Sequence, residues 1–287
     1  MTFSDEYALF YANCNTRSLV TMDVHTEMYN IDEGATKDYL SAGLTQLPSL
    51  YFIFSLMYLC FLGFWISLCF NNQRCVHRVH LLMGVSLTMQ TLSLFCAAEE
   101  NHYVKVTGTP HGWNVLFWIF QFINSVLLFT LIVLIGAGLP YLKPVLHARE
   151  KIVLMIVITL KVLVNVASIM MDETSPYNKD WMTWREVYMW SDTISYSVII
   201  LPVGWSIRLL TEHSKIDEKS HRNLTLYVRF FHLVFCYFFF ARVGVIVLMD
   251  IYQWVSRVVE EVASLVLYLG MCYLFRPAEK SELVHCS

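Results

Sequence analysis

The sequence predicts an all-α membrane protein, a seven-transmembrane helix bundle behind a short β-like N-terminal tail. Two observations carry this. Seven apolar stretches, each long enough to cross a bilayer, occupy nearly everything after Leu47. Hydrocarbon about 30 Å thick needs about 20 helical residues, and lipid leaves a backbone few choices but helix, because every N–H and C=O must be paired within the chain. The composition agrees: mean hydropathy is +0.51, 56% of residues are hydrophobic and 15% are charged, against roughly 25% charged in soluble domains. A net charge of −3 offers nothing to nucleic acid. Three regions follow, a lumenal tail over 1–46, the helical domain over 47–275 and a short cytosolic tail over 276–287.

Along the tail, Met22, Val24, Thr26 and Met28 alternate with Thr21, Asp23, His25 and Glu27, the period of a strand. Asp32-Glu33-Gly34 breaks it. Two short strands make no stable sheet alone, so the tail reads as the end of something larger. Met1 to Ala12 lacks the basic start and apolar core of a signal peptide.

The spans then follow in order. Leu47 to Phe70, Val79 to Ala98 and Trp113 to Leu139 contain no Asp, Glu, Lys or Arg. Ile152 to Met171 holds Lys161, Val187 to Ile207 holds Asp192, and Phe230 to Met249 holds Arg242. Ile251 to Phe275 holds Arg257, Glu260 and Glu261. Cys60, Cys236 and Cys272 lie in spans and behave as small apolar residues. Cys14 alone is clearly lumenal, which argues against a disulfide framework.

Lys and Arg favour cytosolic loops. With the N-terminus outside, the cytosolic side holds eleven basic residues (Arg74, Arg78, Lys143, Arg149, Lys151, Arg208, Lys215, Lys219, Arg222, Arg276, Lys280) and the lumenal side five (Arg17, Lys37, Lys105, Lys179, Arg185). The expected orientation is therefore N-terminus lumenal and C-terminus cytosolic. Trp113, Trp181, Trp184 and Trp190 then gather at the lumenal interface. The sequon Asn223-Leu224-Thr225 falls on the cytosolic side and is expected to be unmodified.

Ionisable groups in lipid are costly and face a partner or a wet cavity. Arg242 stands nine residues before Ile251 and Glu260 nine after it. In an antiparallel hairpin turning at Asp250 and Ile251, both lie roughly 13 Å below the turn. Arg242 is expected to pair with Glu260 or Glu261, and Arg257 shares the network at helical spacing. Arg257, Glu261, Ser264 and Tyr268 form one polar stripe, and Asn114, Gln121, Asn124 and Ser125 form another on the third span. Gln90, Lys161, Asn165 and Asp192 can face the same interior. Lys161 can pair with Asp192 or snorkel. A polar cavity reaching down from the lumen follows, shaped by Arg242, Glu260, Glu261, Arg257 and Asp192 with Gln121 and Asn124 opposite. The alternative is that these groups only hold helices in register.

The sequence also narrows the function. It has no His/Glu pair at zincin spacing, no Lys in the seventh span to hold retinal, and no phosphate loop. Neither a catalytic residue, a metal site nor a cofactor is expected, and the chain is read as a non-enzyme. The third span ends Leu139-Pro140-Tyr141 without an acidic-Arg-Tyr triplet. The seventh ends Tyr273-Leu274-Phe275-Arg276-Pro277 without Asn-Pro-x-x-Tyr, so rhodopsin-like receptors match poorly.

Several separated motifs resemble one family in order: Asp38-Tyr39-Leu40-Ser41-Ala42-Gly43 with Leu47-Pro48-Ser49-Leu50-Tyr51, His77-Arg78-Val79-His80-Leu81-Leu82-Met83, Ala97-Ala98-Glu99-Glu100-Asn101-His102-Tyr103, Gly108-Thr109-Pro110-His111-Gly112-Trp113, Gln121-Phe122-Ile123-Asn124, Glu260-Glu261, Ala263-Ser264-Leu265 and Phe275-Arg276-Pro277. They resemble the lung seven-transmembrane receptor family, the GOLD-domain seven-helix or GOST proteins, in its plant branch, from about Phe10 onward. The resemblance implies an integral protein of the Golgi, post-Golgi or plasma membrane that acts in vesicle trafficking and cargo transport, with a bundle similar to that of the Wnt chaperone Wntless. It also implies a candidate G-protein-coupled receptor. Phe10 to Tyr29 resembles the last strands of the family's lumenal domain, most of which this sequence does not contain.

The expected partners are membrane lipid and membrane or secreted cargo proteins. A heterotrimeric G protein, met by Arg208, Lys215, Lys219 and Arg222, is the alternative. A cation pathway lined by Glu260, Glu261 and Asp192 is the further one.

Overall fold

The computed structural model describes residues 23, 27–31, 37–41, 43–72, 76–136, 148–174, 179–214, 218–240 and 253–276. Among these are seven helices: α1 Leu47–Asn71, α2 Arg78–Thr107, α3 Trp113–Gly136, α4 Ala148–Glu173, α5 Lys179–Ser214, α6 Glu218–Phe239 and α7 Gln253–Leu274. Four of them, α1 to α4, are each long and apolar enough to cross a membrane by themselves. A shorter apolar stretch, Leu224–Phe239, lies in α6. α7 differs from the first four in carrying three charged residues, Arg257, Glu260 and Glu261, inside its apolar stretch.

Local chemistry sets the ends. Pro48 opens α1, where its missing N–H costs nothing. The backbone N–H of His77 donates to His80 Nδ1 at 2.9 Å, closing the first turn of α2. Gly108 ends that helix in the left-handed conformation, φ 76°. A Cβ there would meet the Tyr39 ring at 3.3 Å, so the turn also seats the incoming tail.

The helices pack in chain order, and α1 returns to touch α7. α3 is the innermost, touching α2, α4, α5 and α6. The core runs through Tyr58, Met83, Leu87, Leu131, Ile132, Ile199, Phe230 and Leu267, all nearly inaccessible. The outer faces stay apolar, with Phe64, Phe70, Leu81, Met155 and Tyr273 more than half exposed, as lipid-facing side chains are.

The tail differs from its sequence pattern. The strands are Asn30–Ile31 (β1) and Lys37–Asp38 (β2), antiparallel with Asn30 opposite Asp38 and Ile31 opposite Lys37. Residues 27–29 lie outside a strand, because alternation makes a strand only where a second strand supplies hydrogen bonds. The remaining alternating positions through 26, apart from Asp23, fall outside the described residues. Lys37 donates to Glu27 at 3.1 Å, and that hydrogen bond holds its pKa above the ordinary lysine value.

The tail is anchored on α2. Tyr39 N–H donates to Lys105 O at 3.1 Å, Lys105 Nζ lies 3.6 Å from Asp38, and Asn30 Nδ2 donates to Leu40 O at 2.6 Å. Leu40 and Asp38 are buried. Two helices outrun their apolar windows. α2 continues past Ala98 to Thr107, and α5 extends from the expected 187–207 to 36 residues. The turn proposed at Asp250 and Ile251 lies outside the described residues.

Candidate functional site

A chain of side-chain hydrogen bonds crosses the interior between α2, α3 and α7. Ser86 Oγ and Tyr268 Oη are 2.8 Å apart. Tyr268 Oη donates to Asn124 Oδ1 at 3.1 Å. Asn124 Nδ2 donates to Gln90 Oε1, and Gln90 Nε2 donates to Glu261 Oε2 at 3.1 Å. With Tyr268 donating to Asn124, the Ser86 hydroxyl is the donor at the other end, and every step then points toward the carboxylate. Helical spacing assembles it. Ser86 and Gln90 are one turn apart on α2, and Glu261 and Tyr268 two turns apart on α7. Ser93 Oγ donates to Gln121 Oε1 at 3.0 Å. As α2 advances three residues from Gln90 to Ser93, α3 retreats three from Asn124 to Gln121, the register of an antiparallel pair.

Tyr58 on α1 completes this face. It is inaccessible, its ring meets Tyr268 edge-on at 5.8 Å, and it lies in the field of Glu261. Among the described residues its hydroxyl has no hydrogen-bond partner.

Around the first turns of α7 the polar groups become charged. Arg257 Nη1 is 3.6 Å from Glu260 Oε2, with side chains 59% and 42% exposed. Arg257 also lies within the electrostatic reach of Tyr51 on α1, Asp172 on α4 and Tyr188 on α5, and Glu100 on α2 faces Asp172. Among the described residues, Arg257 thus shares its surroundings with groups from α1, α4 and α5. Glu261 has no ion pair among the described residues, its contact there being the Gln90 amide.

A second polar cluster is separate. Lys161 Nζ on α4 is ion-paired with Asp192 on α5, both buried. The ammonium sits 3.6 Å from the centroid of the Phe129 ring and 4.8 Å from that of Tyr196. Asn165 Nδ2 donates to Ser125 Oγ at 3.3 Å and to Lys161 O at 2.7 Å. Asn124 and Ser125, adjacent on α3, thus face the two clusters in turn.

Of the residues singled out from the sequence, Glu261 and Asn124 meet on one chain through Gln90, with Gln121 one turn along the same seam. Glu260 pairs with Arg257. Asp192 faces Lys161 instead of the α7 carboxylates. Arg242 lies outside the described residues. Sequence reasoning missed Ser86, Tyr58, Glu100 and Asp172. Ser86 was findable, four residues before Gln90 on the same face. Nothing in the sequence distinguishes Tyr58 from other tyrosines in spans. No group of three or more His, Cys, Asp or Glu side chains able to hold a metal occurs among the described residues.

Comparison with known proteins agrees with this architecture. Residues 46–282 match the GOST seven-transmembrane domain. Residues 1–30 match the N-terminal domain of CAND6/7 proteins. The chain is 47% identical over 290 residues to the protein Candidate G-protein coupled receptor 6 of Arabidopsis thaliana, covering 98% of this chain and 68% of that protein. A seven-helix bundle whose membrane segment matches this domain from end to end belongs to the GOST seven-transmembrane family.

Proposed function

We propose that this integral membrane protein acts in the secretory pathway, at Golgi or post-Golgi membranes, sorting or carrying membrane or secreted cargo through a lumen-facing polar interior. Its N-terminus is lumenal and its C-terminus cytosolic. The observation that carries the reading is the directional hydrogen-bond chain from Ser86 to Glu261, topped by Arg257, Glu260 and Asp172. Lipid penalises each charge that serves only to hold helices in register, whereas an interior that receives a polar or cationic cargo segment has a use for the carboxylates of Glu260 and Glu261. The neutralising pair Glu260→Gln and Glu261→Gln tests this in cells. Expected is a folded protein at normal abundance with delayed cargo export; unchanged export from correctly localised protein contradicts it.

A second reading, signalling to a heterotrimeric G protein, is favoured by the name of the Arabidopsis relative, a candidate G-protein-coupled receptor. The basic segment Arg208, Lys215, Lys219 and Arg222 is the surface that would meet it. Nucleotide exchange by a G protein co-reconstituted with this protein supports that reading, and its absence under every applied lumenal extract removes it.

A further inference from the structure

On the outside of the bundle, where α1 ends and α2 begins, lies an open groove of about 500 Å³. Its floor is Trp65 and His80, both nearly inaccessible. Gly84 withholds a side chain there; a Cβ at this position would lie 3.7 Å from the Trp65 ring. The walls are exposed apolar residues, Ile66 and Phe70 from α1 and Leu81 and Val85 from α2.

The floor is rigid and satisfied. Trp65 Nε1 donates to His80 O at 3.2 Å. His80 Nδ1 accepts from His77 N–H, which leaves Nε2–H to donate to Phe275 O at 2.9 Å. Thr88 Oγ1, also in the lining, donates to Gly84 O at 2.9 Å, so the groove has few polar atoms with which to hold a sugar, a peptide or a nucleotide. It offers an apolar trough, with no acidic residue in its lining.

Its dimensions and the charge of Arg78 beside it indicate the occupant. From His80 to Thr88 the trough follows α2 for about 12 Å, which fits within one leaflet of a hydrocarbon core about 30 Å thick. Exposed Arg78 stands at the interfacial end, between the lining residues Val76 and His80. We propose that the groove seats one acyl chain of an anionic glycerophospholipid, with its head group against Arg78. In the orientation proposed above this is the cytosolic leaflet, where anionic lipids reside. That clause alone rests on the functional reading, and the test below reads lipid class whichever way the protein faces.

The full-length chain is reconstituted in nanodiscs in which phosphatidylserine or phosphatidylcholine carries brominated acyl chains. The quenching of Trp65 is read as the difference between the wild type and Trp65→Phe. A chain seated in the trough lies against this indole, whereas lipid outside the rim does not touch it. Expected is half-quenching at about five-fold lower mole fraction for the anionic lipid, a preference lost in Arg78→Gln. In Gly84→Leu, which fills the trough, both lipids should quench weakly. Equal quenching by both lipids, no Trp65 quenching, or a preference that survives Arg78→Gln overturns the proposal. Native mass spectrometry gives an independent arm should Trp65→Phe not fold. Wild type should retain a phosphatidylserine that Arg78→Gln loses; equal retention overturns the proposal.

Discussion

Tyr58 concentrates the cost of burying polar atoms without partners. Its hydroxyl is inaccessible and unpaired among the described residues, although it lies in the field of Glu261 and beside Tyr268. Removing an unsatisfied buried hydroxyl while keeping the ring relieves a desolvation penalty. Tyr58→Phe is therefore expected to leave stability unchanged or raise it by about 1 kcal/mol, read by unfolding in detergent. A clear loss would mean that the hydroxyl has a partner in solution. Asn124 is the opposite case, since it bonds both Gln90 and Tyr268. Asn124→Leu strands two buried groups, with an expected loss of about 1–3 kcal/mol. This exceeds the roughly 0.6 kcal/mol typical of a single interhelical hydrogen bond in a membrane.

At the scale of elements, the α4–α5 pair and the α6–α7 contact make separate predictions. Asp192→Asn leaves the Lys161 ammonium buried without its counter-ion and should cost about 3–5 kcal/mol. Lys161→Met combined with Asp192→Leu removes both charges and should be near neutral or stabilising. Equal losses in the single and double variants would show that the pair is not the unit. Between α6 and α7, a Cβ on Gly270 would collide with the Leu233 side chain. Gly270→Leu should therefore separate the two helices and destabilise by about 1–3 kcal/mol. Leu233→Ala in the same chain should restore part of the loss.

The elements also show where reading the sequence succeeds. Hydrocarbon permits few polar side chains, so Gln90, Asn124 and Glu261 stand out in apolar windows, and their spacing identifies the inward faces before any coordinates exist. Lys161 and Asp192 stand out equally, and their pairing was one of the arrangements the sequence offered; how α4 lies against α5 selects it over snorkelling. Helix ends were less legible. α2 runs past its apolar window because Gly108 supplies the stop and the tail packs on its last turns, and neither is a matter of hydropathy. A β-like tail was legible, but the strands at Asn30–Ile31 and Lys37–Asp38 were not, because alternation says nothing about the availability of a partner strand.

For the whole molecule, the proposed function requires one thing above all: that the interior of the bundle be wet on its lumenal side while its outer faces are in lipid. Glu260 and Val262, two residues apart on α7, allow a direct comparison. The Glu260 side chain is 42% exposed and Val262 is 44% exposed, so accessible area does not separate them, whereas the proposed difference in surrounding medium would. The decisive measurement is labelling by a membrane-impermeant thiol reagent in sealed vesicles, with single cysteines at 260 or 262 in a chain otherwise free of cysteine. The account predicts that Glu260→Cys reacts from the lumenal face and Val262→Cys from neither. Equal protection of both positions, or reaction of Glu260→Cys from the cytosolic face, would contradict it.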